Sequence, residues 1–132
     1  MKHFHFVFGI AAVIVFLLTG QYMAIYQGHL RGMADMPRML FRSRHIYILL
    51  ASLLNLMLGT YLVRQPGGWR RPLQCVGSVL TVIATCLLVA AFIYEPHVRQ
   101  IERTSFSFYG IILIAAGTVL HAIAGRRSGL RP

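Results

Sequence analysis

Six histidines are the most chemically capable side chains in this 132-residue chain: His3, His5, His29, His45, His97 and His121. A neutral imidazole ligates haem iron, copper or zinc. Helix bundles hold haem between histidines that face each other at similar depth. A second set lies in "HLRGMADMPRM", where Met33, Met36 and Met39 recur every third residue beside His29 and Asp35. Thioether and imidazole ligands together suit Cu(I), and Met23 stands close enough in sequence to add a sulfur. A third set is Arg38, Arg42 and His45, spaced by four and three residues, which share one face of a helix. Such a face fits the propionates of a haem, a quinone head, an anionic lipid or a partner's carboxylate.

Whether these groups can meet depends on the elements that carry them. Four apolar segments stand out, Phe4–Tyr26, His45–Val63, Leu73–Tyr94 and Phe106–Gly125, and none contains Asp, Glu, Lys or Arg. About 20 helical residues cross the hydrocarbon core of a bilayer. The strict alternation of a membrane β-barrel is absent. The expected fold is therefore a single all-α integral membrane domain over residues 1–132, an up-down bundle of four transmembrane helices. Residues 27–44 form the first loop. Asp35 is suited to cap a helix start and Pro37 is tolerated in a first turn, so the second helix is expected to begin near Met36. Pro66-Gly67-Gly68 marks a turn between the second and third helices, and the tail after Gly125 reads as largely disordered.

Small and polar residues make the contacts between helices in a membrane. The first helix carries His5, Gly9, Ala12, Phe16, Thr19, Met23 and Tyr26 on one face, and the second carries His45, Ser52, Asn55 and Gly59. The third carries Gly77, Thr81, Ala84 and Thr85, and the fourth Gly110, Gly117 and His121. These faces are expected to form the interior, with Asn55 as structural polar glue between helices. In that arrangement His5 and His121 lie near one surface, while His29, His45 and His97 lie near the other. Arg31 and Arg44 fall off the shared Arg38–Arg42–His45 face and are expected to meet lipid head groups.

The composition is 57% hydrophobic and 12% charged, with a formal net charge of +10. That charge sits in the short connections between apolar runs, where membrane proteins place their anchors. No nucleic-acid motif accompanies it, so anionic head groups are the expected electrostatic partner. The cations divide seven to six between the two sides, with Lys2, Arg64, Arg70, Arg71, Arg126, Arg127 and Arg131 on the larger. This places both termini in the cytoplasm. Cys75 and Cys86 are too far apart on one helix to pair and read as small apolar core residues. No Ser/His/Asp set, phosphate loop or HExxH motif occurs. No carboxylate or lysine lies within a span, which argues against ion-coupled transport.

The stretches "HFHFVFGIAAVIVFLLTGQYM" (His3–Met23) and "PRMLFRSRHIYILLASLLNLMLG" (Pro37–Gly59) resemble, in layout, small bacterial four-helix inner-membrane proteins of the SirB, CopD and HemJ kind. There a first helix with a terminal histidine precedes a basic loop and a histidine-led second helix. The resemblance covers the first half of the chain. It implies a bacterial inner-membrane protein handling haem, porphyrin or copper, with His5 and His45 as candidate ligands. The intramembrane-region lysine of the HemJ type has no counterpart, because Lys2 is the only lysine. That argues against a porphyrin oxidase.

Together these readings give a small, non-catalytic, multi-pass inner-membrane protein. It is expected to bind haem b, or a quinone or a partner subunit, through His5, His45, His121, Arg38 and Arg42, as an accessory to electron transfer or complex assembly. The alternatives are copper handling through His29, Met33, Met36 and Met39, and a lipid-bound structural or assembly factor. A partner membrane subunit or a second copy is the expected protein partner.

Overall fold

The computed structural model describes residues 1–63, 68–97 and 105–125. Four helices run through them: α1 Lys2–Ile25, α2 Asp35–Tyr61, α3 Arg70–Tyr94 and α4 Ser105–Gly125. Single 3-10 turns at Gly28–Leu30 and Glu95–His97 follow α1 and α3. The segments Arg64–Gly67, Val98–Thr104 and Arg126–Pro132 lie outside the described residues, and with them most of the middle turn, Arg99, Arg103 and the tail.

The bundle is up-down. Gly59 of α2 lies against Phe6 of α1, Gly9 against Leu56, and Gly20 against His45, so α1 and α2 are antiparallel. Gly77 lies against Gly117, and Gly110 against Leu88, so α3 and α4 are antiparallel as well. Asn55 bonds Thr85 while Arg44 bonds Glu95, which gives the same relation for α2 and α3. The molecule is thus two tight hairpins, α1/α2 and α3/α4, joined mainly where α2 meets α3.

Small residues set how closely the hairpins close. A Cβ on Gly59 would stand 2.5 Å from the Phe6 backbone nitrogen and Cα, so no larger residue fits without parting α1 from α2. Gly117 plays the same part for α3 and α4, with the Gly77 carbonyl oxygen 2.8 Å from where its Cβ would be. Close backbone approach replaces side-chain interdigitation here, as is usual where helices gain nothing by hiding apolar surface from lipid.

The expected interior stripes are largely observed. His5, Gly9 and Ala12 of α1, Ser52, Asn55 and Gly59 of α2, and Gly77, Thr81, Ala84 and Thr85 of α3 are all buried, as are Gly110, Gly117 and His121 of α4. Tyr26 is an exception, lying 77% exposed past the end of α1. The cysteines are another correction: both Cys75 and Cys86 face outward rather than into the core. The outer surface is apolar, with Val7, Leu18, Ile46, Val79 and Phe108 among its exposed residues.

Among the described residues, three helical segments are long and apolar enough to cross a membrane: Lys2–Ile25, Arg70–His97 and Ser105–Gly125. The fourth expected span, α2, falls outside that set by composition and not by length. α2 is long enough at 27 residues. Its first three turns, however, carry Asp35, Arg38, Arg42 and Arg44, and its apolar run is interrupted by Ser52, Asn55 and Thr60. Its polarity is spent inward, for Arg44, Ser52 and Asn55 are all buried.

α2 begins at Asp35, within one residue of the expected start. Asp35 is not the cap: Ala34 occupies that position, no side chain caps the helix, and Asp35 pairs instead with Arg38. A carboxylate in the first turn still favours the positive end of the helix dipole.

Candidate functional site: a buried histidine pair

The deepest polar cluster draws residues from all four helices. His5 of α1 is 0% exposed and His121 of α4 is 8% exposed. Their ring centroids stand 6.2 Å apart with the planes at 84°. Asn55 of α2, Thr85, Thr81 and Ser78 of α3 complete the cluster.

A chain of hydrogen bonds fixes the state of His5. The Thr85 hydroxyl donates to the Thr81 carbonyl at 2.8 Å, so its oxygen accepts from Asn55 Nδ2 at 3.0 Å. Asn55 Nδ2 also donates to the Ala51 carbonyl at 2.9 Å, which orients the amide. Asn55 Oδ1 is therefore an acceptor, and the proton of the 2.8 Å bond to His5 belongs to His5 Nδ1. In neutral His5 this leaves Nε2 as a bare lone pair. Nε2 is sealed from the outside, and no hydrogen-bond partner for it occurs among the described residues.

His121 repeats the pattern from the opposite hairpin. Its Nε2 lies 3.3 Å from Ser78 Oγ, and its Nδ1 is buried without a partner among the described residues. Gly77 makes room for the ring, since a Cβ there would come within 3.1 Å of His121 Cδ2.

Two buried imidazoles, each held through one nitrogen and unsatisfied at the other, have the donor arrangement of metal-ligating histidines. In such sites the second nitrogen is almost always engaged by a neighbouring polar group that fixes tautomer and ring orientation. An unpaired buried polar atom otherwise costs about 1–3 kcal/mol. Among the described residues no three His, Cys, Asp or Glu side chains are grouped to hold a metal ion. The pair alone cannot build a closed tetrahedral zinc site. A cofactor that brings further donor atoms of its own, such as a haem, would need only these two imidazoles from the chain.

Space flanks the pair on both sides. His5 lines a groove of about 400 Å³ between α1 and α3, with Phe4, Ser78 and Val82. His121 lines one of about 360 Å³ between α2 and α4, with Leu54, Leu58 and Gln74. Both grooves open along the seam between the two hairpins, and the histidines reach that seam from opposite hairpins.

No protein family model, curated protein or solved structure matches the chain. The geometry therefore carries the functional argument by itself.

The other expected site residues lie elsewhere. His45 is ten residues from Asn55 along α2, about 15 Å at 1.5 Å per residue. Its ring stacks on Phe16 at 4.1 Å. Its Nδ1–H donates to Thr19 Oγ1 at 2.9 Å, because the Thr19 hydroxyl itself donates to the Phe16 carbonyl. His45 thus joins α1 to α2 and does not meet His5 or His121. The expected inward face of Arg38, Arg42 and His45 is not formed: Arg42 is exposed and Arg38 is turned to Asp35.

Arg44, expected among head groups, is buried. Its Nε donates to Glu95 Oε2 at 2.6 Å, and Nη1 to Ser43 Oγ at 2.8 Å. Glu95 is 1% exposed, and its other oxygen accepts the backbone N–H of Ser107 at 2.8 Å, one of the unpaired donors in the first turn of α4. The helix period explains the misplacement. Arg44 precedes Asn55 by eleven residues, which is about 20° from the same face at 100° per residue, whereas Arg42 falls about 140° away.

The methionine set is dispersed in role. Met33 and Met23 pack on an apolar cluster of Leu30, Phe41, Ile48 and Phe92. Met36 is half-buried and Met39 is 53% exposed. His29, at φ 59°, is exposed and donates from Nδ1 to the Ala24 carbonyl.

Ser78 as partner of His121, Thr85 as partner of Asn55, and Glu95 as partner of Arg44 went unread in the sequence. Glu95 had a signal: it is an acid next to Pro96 at the end of an apolar run, where an isolated carboxylate needs a partner.

Proposed function

We propose that this is a multi-pass protein of the bacterial inner membrane that binds a haem-like cofactor through His5 and His121, as a small non-catalytic accessory to electron transfer. Three observations support the membrane placement: three helices of spanning length, an apolar outer surface, and helix pairs closed by glycine. α2 then also crosses, its buried polar residues shielded by the other three helices. Exposed apolar area of this extent is not tolerated by a monomer in water.

The observation that carries the cofactor reading is the bare, buried Nε2 of His5 beside the unpaired Nδ1 of His121. A haem held there supplies a one-electron centre. The chain's own part is to fix the His5 tautomer through Asn55, place the two imidazoles on opposite sides of the hairpin seam, and keep water away from them.

The same two imidazoles, with no third ligand among the described residues, also suit a linear Cu(I) ion. A reduced-minus-oxidised visible spectrum with metal analysis on one detergent-extracted sample separates the readings. A Soret band lost in His5→Ala and in His121→Ala, and kept in His45→Ala, supports haem. A flat spectrum with one copper per chain replaces haem by copper. A flat spectrum without metal overturns both.

A further inference from the structure

We propose that a second groove, at the opposite end of the bundle, binds the ring of a lipid-tailed quinone or quinol. This goes beyond the histidine pair and rests only on the membrane placement. The groove holds about 350 Å³ and is lined by α1, α2, α3 and the turn after α3, including Thr19, Tyr22, Phe41, Phe92 and His97. That volume lies within the range of small-molecule sites.

Three features select the ligand. The walls are aromatic and mutually packed: Phe41 and Phe92 stand 5.4 Å apart edge to face, and Tyr22 lies 6.3 Å from each. His97 adds a ring 6.0 Å from Phe41. Such faces take a flat ring in offset or edge contact. Among the described residues, no Asp, Glu, Lys or Arg lines the groove, so a neutral ligand is favoured.

The polar groups form a matched donor and acceptor. Gln27 Nε2 donates to the Tyr22 hydroxyl oxygen at 3.0 Å, which leaves the phenolic hydrogen to be given to a ligand. His97 Nδ1 donates to the Ile93 carbonyl at 3.1 Å, which leaves Nε2 of the neutral ring as an acceptor. A quinone carbonyl accepts from Tyr22, and a quinol hydroxyl donates to His97. Thr19 is already committed to Phe16 and His45, so it contributes only shape.

The route of entry fits the tail. Leu18 and Ile93 line the groove and are 62% and 55% exposed on the apolar outer surface. A ligand arriving there comes out of the lipid, and an isoprenoid or alkyl chain can remain in it.

The test is photolabelling of the purified full chain in quinone-free detergent with an azido-benzoquinone, followed by peptide mass mapping. Decyl-benzoquinone serves as competitor and decylbenzene as the control lacking the oxygens. The expected result is label on peptides containing Tyr22, Phe41 or Phe92. Decyl-benzoquinone should compete, decylbenzene should not, and the competing concentration should rise about tenfold in Tyr22→Phe and in His97→Leu. Label elsewhere, equal competition by decylbenzene, or unchanged competition in both variants overturns the proposal. The readout is a peptide mass, so its outcome does not depend on whether His5 and His121 carry a cofactor.

Discussion

Replacing Glu95 by Gln should destabilise the bundle by about 3–5 kcal/mol, the usual cost of breaking a buried pair by removing one partner. The structure supplies the reasons. Arg44 and Glu95 are 7% and 1% exposed, so neither charge can turn to water when its partner is lost. Two unit charges about 4 Å apart attract by roughly 4 kcal/mol at an effective dielectric near 20. Glu95 also caps Ser107, and a lost cap adds about 1 kcal/mol; a glutamine oxygen retains part of that bond, so Glu95→Ala should be the worse variant. The double variant Arg44→Met/Glu95→Met removes both charges and should cost less than Glu95→Gln alone. The assay is reversible unfolding in mixed micelles, compared across the four proteins. A Glu95→Gln cost below about 0.5 kcal/mol, in the range of exposed pairs, would refute the claim that this pair pins α4 to α2 and α3.

Further outcomes follow from the same contacts. Asn55→Leu removes the acceptor that holds His5 Nδ1–H; haemin affinity should fall about 10–100-fold, with a stability loss of about 0.6–2 kcal/mol, read by titration and unfolding. Gly59→Leu forces α1 from α2 at Phe6 and should cost about 1–3 kcal/mol while abolishing the Soret band, both measurable on one preparation. His45→Phe keeps the stack on Phe16 and loses only the Thr19 bond; its visible spectrum should match the parent, with stability lowered by about 1 kcal/mol.

The interior stripes were legible because helices in lipid must approach through small and polar residues, and such residues are scarce enough in these segments to mark a face. Gly9, Gly59, Gly77 and Gly117 show this directly, each with a neighbouring helix at van der Waals distance or closer to a built Cβ. The pairing of His5 with His121 was legible only as a shared depth. Which nitrogen each leaves free depends on Asn55, Thr85 and Ser78, and their mutual bonds leave no trace in spacing. Arg44 was misplaced because the inward face of α2 was extended from His45, about 80° off the face of Asn55 at 100° per residue. Anchoring on Asn55, a fully buried amide of α2, brings Arg44 inward and turns Arg42 out. The methionine repeat does not form one surface: Met33 lies ahead of α2, and Met36 and Met39, one step of three apart, stand about 60° apart around the helix.

The most direct test of the central claim is a haemin titration of the purified, cofactor-free chain, followed by the spectrum of the bound iron. Saturation at one haemin per chain with a six-coordinate, low-spin spectrum is predicted, and His5→Ala and His121→Ala should each abolish that low-spin form. Titration without saturation, or a low-spin spectrum that survives both substitutions, would contradict the assignment of the histidine pair as the ligand site.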